Sequence, residues 1–196
     1  GSWITARCDS TNAASPLFVM SNLTIETDGG MEAIGGGYQW ARGPGTVLPG
    51  GTSLGGGGYG GRGGGGNDPR FGGPTYGSLT APVDPGSAGM GHSANLFAPG
   101  WGGGVLRIQA AGTVTLRGVM AANGSDELKV YGGGGSGGSV YIRCHTLAGT
   151  NTGLLSARGG NAIAASDGGG GGGRIALDYQ VLAPSHNIRF SAAGAA

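Results

Sequence analysis

A glycine run with the spacing of a nucleotide-binding loop is the first candidate for chemistry in this chain. The run GGGGSGG at Gly132–Gly138 contains the pattern GxGxxG. In nucleotide-binding folds these glycines follow a strand and open a helix, whose first N–H groups receive the phosphate. Here the run precedes a strand-like segment, Ser139–Cys144, and no Lys-Ser or Lys-Thr pair follows it. The order of elements therefore argues against a nucleotide ligand.

The histidines and cysteines form no metal-binding or nucleophilic pattern. His92, His145 and His186 stand apart, without an i, i+4 pair. Adjacent residues of a strand point to opposite faces, so Cys144 and His145 would not chelate one zinc ion or act as a Cys–His nucleophile. The ten acidic residues are scattered along the chain. We therefore predict no catalytic residue, no metal site and no cofactor, and we predict that the chain is not an enzyme.

The two cysteines leave two interpretations open. A disulfide between Cys8 and Cys144 would fasten the N-terminal segment to a strand. Two buried, unpaired thiols are the alternative, because free cysteine is among the most buried residue types.

Large aromatic residues concentrate in the segment 38–104, which is also rich in Gly-Pro and Asp-Pro turns. A long segment of this composition is either functional or disordered. Phe71, Tyr76 and Trp40, with Arg70 close in sequence, are residue types that stack on sugar rings. They are the candidate ligand-binding residues, and surface glycans are the candidate partner. The alternative is that the rings cap the fold or cover flat glycine surfaces.

Similar segments recur along the chain at residues 17–36, 105–124, 140–160 and 175–194. The last three follow a period near 35 residues, and the segment 38–104 is an insertion after the first copy. Within each copy apolar residues alternate, as Leu106 and Ile108 do, which predicts short strands with one buried face. A fixed period of this length is typical of stacked repeats.

Glycine supplies 50 of the 196 residues, mostly in runs that lead into those copies. Glycine loses more backbone entropy on ordering than any other residue, so flexible linkers are one interpretation. Because the runs keep phase with the repeat, we predict that they are ordered instead. The predicted fold class is all-β: a solenoid or stacked short-strand array, right-handed and β-helix-like, with glycine tracts in polyproline-II or polyglycine-II conformation.

Charge and hydropathy exclude two classes of partner. Eleven Lys and Arg balance ten Asp and Glu, so no strong field attracts nucleic acid. No apolar stretch approaches the roughly 20 residues that span a bilayer, so we predict no membrane insertion in this segment. Gly1-Ser2 has the character of a cloning scar, which leaves residues 3–196 as a single module without targeting information.

The order of motifs resembles the glycine-rich modules of large surface or secreted proteins of plants, bacteria and protists. The resemblance covers Leu17 to Tyr179 and is carried by GGGGYGGRGGGG, by GGGGSGGS and by the closing GGGGGGRIAL. It implies an extracellular or cell-surface location and a repetitive β or polyglycine architecture. It supplies no catalytic residues.

Together these observations predict a non-enzymatic extracellular structural module, a rigid glycine-rich spacer or display platform within a larger surface protein. The alternative is a carbohydrate-binding or adhesin tip that uses the segment 38–104. Two further alternatives are ice binding, suggested by the pair Thr113 and Thr115, and a polysaccharide-active β-helix enzyme. Self-association is expected through the ends of the array, where edge strands lie unpaired.

Overall fold

Short strands account for nearly all regular structure in the computed structural model, which describes residues 1–46, 54–91, 99–128 and 132–195. In chain order the strands are β1 (Trp3–Thr5), β2 (Leu17–Met20), β3 (Leu23–Ile25), β4 (Gly30–Glu32), β5 (Val105–Ala110), β6 (Thr113–Leu116), β7 (Val119–Ala121), β8 (Ser139–Gly149), β9 (Leu154–Ser156), β10 (Arg174–His186) and β11 (Arg189–Ser191). The described residues hold one helix, a single 3-10 turn at Pro69–Phe71.

The strands form two sheets, and every pair of neighbouring strands is parallel. The five-stranded sheet has the order β1-β4-β7-β9-β11. The six-stranded sheet runs β2-β5-β8-β6-β3, with β10 paired to the other edge of β8. The last two copies pair in the register of the repeat, since Ile175 lies opposite Val140, whereas β5 is shifted by one position and places Leu106 opposite Val140.

A single apolar core joins the two sheets. Alternate residues of β5 and β8 point inward, so Leu106, Ile108, Val140 and Ile142 are fully buried or nearly so. Met120 of the five-stranded sheet is buried in the same cluster. Burial of alternate positions follows from the two-residue period of a strand. The intervening residues lie on the opposite face, where Val105 and Ser139 are also buried while Gln109 and Arg143 are exposed.

The glycine segments pack beside the sheets as a separate hydrogen-bonded body, which we call the glycine bundle. Its members are residues 55–66, 72–73, 86–89, 99–104, 132–138 and 168–173. Each segment bonds to neighbours on more than one side. Gly57 donates to Gly134, Gly134 donates to Gly168, and Gly171 donates to Gly57, at 2.8–3.0 Å. Each of the runs 55–66, 132–138 and 168–173 thus bonds to the other two. Three strands of a flat sheet cannot all bond to one another in this way.

The predicted solenoid of stacked glycine tracts is wrong. The architecture is a pair of parallel sheets, the type of sheet that is otherwise typical of α/β folds, and not a solenoid-like glycine repeat. In the predicted array each tract would stack on the tract of the next copy. The consecutive runs 132–138 and 168–173 do bond to each other, but the run 55–66, from the inserted segment, also bonds to both of them. Glycine permits this because without a Cβ its backbone accepts neighbours on several sides.

Candidate functional site

Several glycines of the glycine bundle have no room for a side chain. A Cβ on Gly134 would overlap the carbonyl oxygen of Gly160, and one on Gly170 would overlap that of Gly135. A Cβ on Gly56 would overlap the carbonyl oxygen of Gly169 in the same way. Close approach of backbones is thus the reason for glycine at these positions.

Buried serines replace backbone partners inside the bundle. Ser87 and Ser136 have no exposed surface. The Ser87 N–H donates to Ser136 Oγ at 2.8 Å, and the Ser136 N–H donates to the Ser87 carbonyl at 3.0 Å. Ser87 Oγ also accepts the Gly45 N–H at 2.9 Å. These bonds satisfy polar groups that would otherwise be buried without partners, a loss that costs about 1–3 kcal/mol per group.

A cluster of tyrosines ties the inserted segment to the six-stranded sheet. Tyr59 is completely buried, and its ring lies 4.8 Å from the ring of Tyr76 at an angle of 53°. Ser139 Oγ donates to the Asp84 carbonyl at 2.6 Å, so the Tyr59 hydroxyl is the donor in its 2.7 Å bond to Ser139 Oγ. Ser139 begins β8, and the bond therefore links the run 55–66 directly to that strand.

Arg174 closes the same cluster from β10. Its guanidinium carbon lies 5.3 Å from the centre of the Tyr59 ring, a cation–π distance. Its Nη2 donates to the Tyr76 carbonyl at 2.8 Å. Tyr76 in turn donates its hydroxyl hydrogen to the Pro85 carbonyl and accepts from Ser87 Oγ at 2.9 Å. One continuous set of polar contacts therefore runs from β10 through the tyrosines into the glycine bundle.

Burial keeps the tyrosines neutral. It raises the pKa of Tyr59 to about 12, partly offset by the hydrogen bond with Ser139. Burial also raises the pKa of Tyr76, and by more than that of Tyr59. Neither hydroxyl releases its proton near neutral pH, so both act as fixed hydrogen-bond donors within the fold.

The carboxylate of Glu127 is buried and accepts hydrogen bonds from two backbone N–H groups. Glu127 is 4 % exposed. Oε1 accepts the Gly132 N–H and Oε2 accepts the Ile163 N–H, both at 2.6 Å. The side chain therefore fastens the start of the run 132–138 to the loop that precedes the run 168–173.

The four predicted ligand-binding residues occupy three separate places. Arg70 and Phe71 share the 3-10 turn, where the Arg70 guanidinium lies 5.9 Å from the Phe71 ring centre. Tyr76 belongs to the tyrosine cluster. Trp40 is 48 % exposed, and its ring centre lies 6.0 Å from that of Trp101. Contacts among the described residues do not bring the four together into one site.

Arg70 is also engaged in an ion pair with its neighbour. Its Nη2 lies 2.7 Å from Asp68 Oδ2, and its Nε donates to the same carboxylate. Bonds from Arg70 hold the pKa of Asp68 below its usual value. The pair is exposed and closes the turn that carries Phe71.

The two cysteines are free thiols. Burial raises the pKa of both Cys8 and Cys144, which lowers the fraction of reactive thiolate. His145 Nδ1 lies 2.9 Å from Gln180 Oε1, and His92 lies outside the described residues. Within the described ranges no three His, Cys, Asp or Glu side chains gather as metal ligands would.

The links from Tyr59 to Ser139 and from Arg174 to Tyr76 were not predicted from the sequence. Their partners lie 80 and 98 positions apart. The available signal was local: Tyr59 interrupts a glycine run, and Ser139 and Arg174 each follow one directly. A polar or aromatic residue at the end of a run that excludes side chains marks the edge of the packed region.

Comparisons with protein-family models, with curated proteins and with solved structures give no match. The resemblance to glycine-rich surface modules therefore stays a prediction. In the part of the chain that the structure describes, no helix is both long and apolar enough to cross a membrane.

Proposed function

We propose that this chain is a non-enzymatic structural module, a rigid spacer or display platform in an extracellular or cell-surface protein. The observation that carries the proposal is the three-way hydrogen bonding of the glycine bundle, represented by Gly57, Gly134 and Gly171. A segment bonded on several sides cannot bend without breaking bonds to more than one neighbour. The bundle therefore resists deformation more than a loop region of the same length.

The tyrosine cluster supports the same role. It connects the bundle to β8 through Ser139 and to β10 through Arg174, both by buried or half-buried contacts. A load applied to the sheets passes into the bundle through these contacts. The extracellular part of the proposal rests on the resemblance of the sequence motifs.

Single-molecule force spectroscopy tests the proposal. The chain is held by its two ends and stretched at constant speed. A rigid module unfolds in one cooperative event, because the bundle and the sheets share contacts. Gradual extension without a rupture event would refute the proposal. Two matched variants separate the contribution of the glycine bundle from that of its surroundings. The added Cβ of Gly134→Ala would overlap backbone atoms, whereas that of Gly194→Ala would meet no atom closer than 3.5 Å.

A further inference from the structure

The five-stranded sheet ends in an open strand at both edges. Within the described residues, no further strand pairs with the outer edge of β1 (Trp3–Thr5) or of β11 (Arg189–Ser191). The unpaired N–H and C=O groups of such an edge can bond to a strand of another chain. Proline or several charges commonly block that pairing. Here β1 has the sequence WIT and β11 has the sequence RFS, with one charge between them.

The register of the sheet carries an apolar column to both edges. All five strands are parallel and in register, so the middle residues of the three-residue strands lie side by side on one face of the sheet. From edge to edge these residues are Ile4, Met31, Met120, Leu155 and Phe190. The three inner ones are buried in the core, whereas Ile4 is 51 % exposed and Phe190 is 56 % exposed. The two end members are exposed because no strand follows them.

A second copy can continue this column in only one way. A parallel sheet continues when the next strand keeps the same direction, which brings β11 of one copy to β1 of another copy in the same orientation. At the strand spacing of about 4.8 Å, Phe190 would then pack on Ile4 of the next copy. Both side chains would leave water, and the apolar column would run unbroken from one copy into the next.

The flanking positions of the two edges are also complementary. In the same register Arg189 lies beside Trp3 of the next copy, and a guanidinium beside an indole ring is a favourable cation–π pair. Ser191 lies beside Thr5 of the next copy. Thr5 Oγ1 already donates to Glu32 Oε1 at 3.0 Å, so its lone pairs are available to accept a hydrogen bond from Ser191 Oγ.

We propose that copies of this chain associate head to tail, with β11 of one copy paired to β1 of the next. The contact joins two different surfaces, so each added copy leaves one open edge at either end of the assembly. Open chains of copies form, not closed dimers. Each contact is small, because its strands have three residues, and the association is therefore weak and dependent on concentration. The inference does not depend on the spacer function.

Analytical ultracentrifugation of the full chain tests the inference. The average mass of the wild type should rise with protein concentration, with a Kd of about 1 mM or below for each contact. Ile4→Asp and Phe190→Asp each place a charge in the contact and should stay monomeric at concentrations where the wild type associates. Both positions are about half exposed, so both variants should fold, which circular dichroism checks.

A matched control separates the two edges from the rest of the surface. Leu79→Asp changes a side chain that is 77 % exposed and belongs to neither edge, so this variant should associate like the wild type. The inference is overturned if the wild type stays monomeric up to about 1 mM. It is also overturned if all three variants associate like the wild type, or if all three lose association equally.

Mixing the two edge variants tests the direction of the contact. The Ile4→Asp protein keeps an intact β11, and the Phe190→Asp protein keeps an intact β1. An equimolar mixture should therefore form dimers and nothing larger, although neither variant associates alone. A mixture that stays monomeric, or that forms species larger than a dimer, would overturn the head-to-tail arrangement.

Discussion

The hydroxyl of Tyr59 donates a hydrogen bond of 2.7 Å to Ser139 Oγ, joining two residues that are 80 positions apart. Tyr59 lies in a glycine run, and Ser139 is the first residue of β8. The inserted segment is therefore part of the folded body and contributes to its stability.

Removing this hydroxyl should destabilise the protein. Tyr59→Phe keeps the ring in contact with Tyr76 and Arg174 but loses the bond to Ser139. We expect the free energy of unfolding to fall by about 1–2 kcal/mol, as for a buried hydrogen bond. Urea unfolding measures the change. Tyr179→Phe on β10, where the side chain is 40 % exposed, should change it by less than about 0.5 kcal/mol. Equal effects would contradict the importance of the buried bond.

Alkaline pH should destabilise the fold through the same residue. The pKa of Tyr59 is about 12 in the folded state, against the ordinary value of 10.0. Above the ordinary value the unfolded chain loses the proton while the folded chain keeps it, so stability falls as pH rises. The stabilisation that the raised pKa of Tyr59 contributes is complete below pH 10.0 and is lost by about pH 12. Tyr76, whose pKa is raised further, acts in the same direction.

The pH effect can be assigned by comparing two proteins. The decrease in the free energy of unfolding that Tyr59 causes should reach roughly 2–3 kcal/mol once the pH exceeds its folded-state pKa. Urea unfolding of the wild type and of Tyr59→Phe should show a smaller alkaline loss in the variant. If the two curves run parallel from pH 10.0 to about 12, another group causes the effect.

A single methyl group in the glycine bundle should be poorly tolerated. Gly134→Ala places a Cβ against the Gly160 carbonyl oxygen and 2.9 Å from the Gly170 nitrogen. Backbone must move to relieve the overlap, so we expect a loss of about 3 kcal/mol or more and a lower Tm. Gly194→Ala meets no atom closer than 3.5 Å and should change Tm little. Thermal unfolding followed by circular dichroism measures both, and a Tm for Gly134→Ala near that of Gly194→Ala would contradict the packing.

Cysteine labelling should report two thiols of low reactivity. Burial raises the pKa of Cys8 and Cys144, so both should react slowly with iodoacetamide in the folded protein. Denaturation without reductant should give two adducts by mass spectrometry. A denatured chain with no adduct would instead reveal a disulfide between them.

Much of the sheet structure could be predicted from the sequence. The alternation of Leu106 with Ile108, and of Val140 with Ile142, identifies residues that are buried in the core. Side-chain pattern carries this information because the two faces of a strand differ in exposure.

The arrangement of the glycine segments could not be predicted. A glycine run has no side-chain pattern that specifies which face is buried or which segment lies beside it. The sequence period favoured contacts between consecutive tracts, such as the bond from Gly134 to Gly168, but it did not indicate that Gly57 of the inserted segment bonds to both Gly134 and Gly171. The spatial separation of the candidate aromatic residues could not be predicted either. Tyr76 and Trp40 both belong to the segment 38–104, but Tyr76 joins the buried cluster and Trp40 packs on Trp101.

Hydrogen–deuterium exchange of the glycine amides tests the central claim most directly. The amide hydrogens of Gly57, Gly134 and Gly171 are bonded to neighbouring segments. After correction for intrinsic rates, they should exchange as slowly as the core amide of Ile142, while the exposed Gly194 exchanges quickly. Exchange of the three bundle amides at the rate of Gly194 would contradict an ordered glycine bundle.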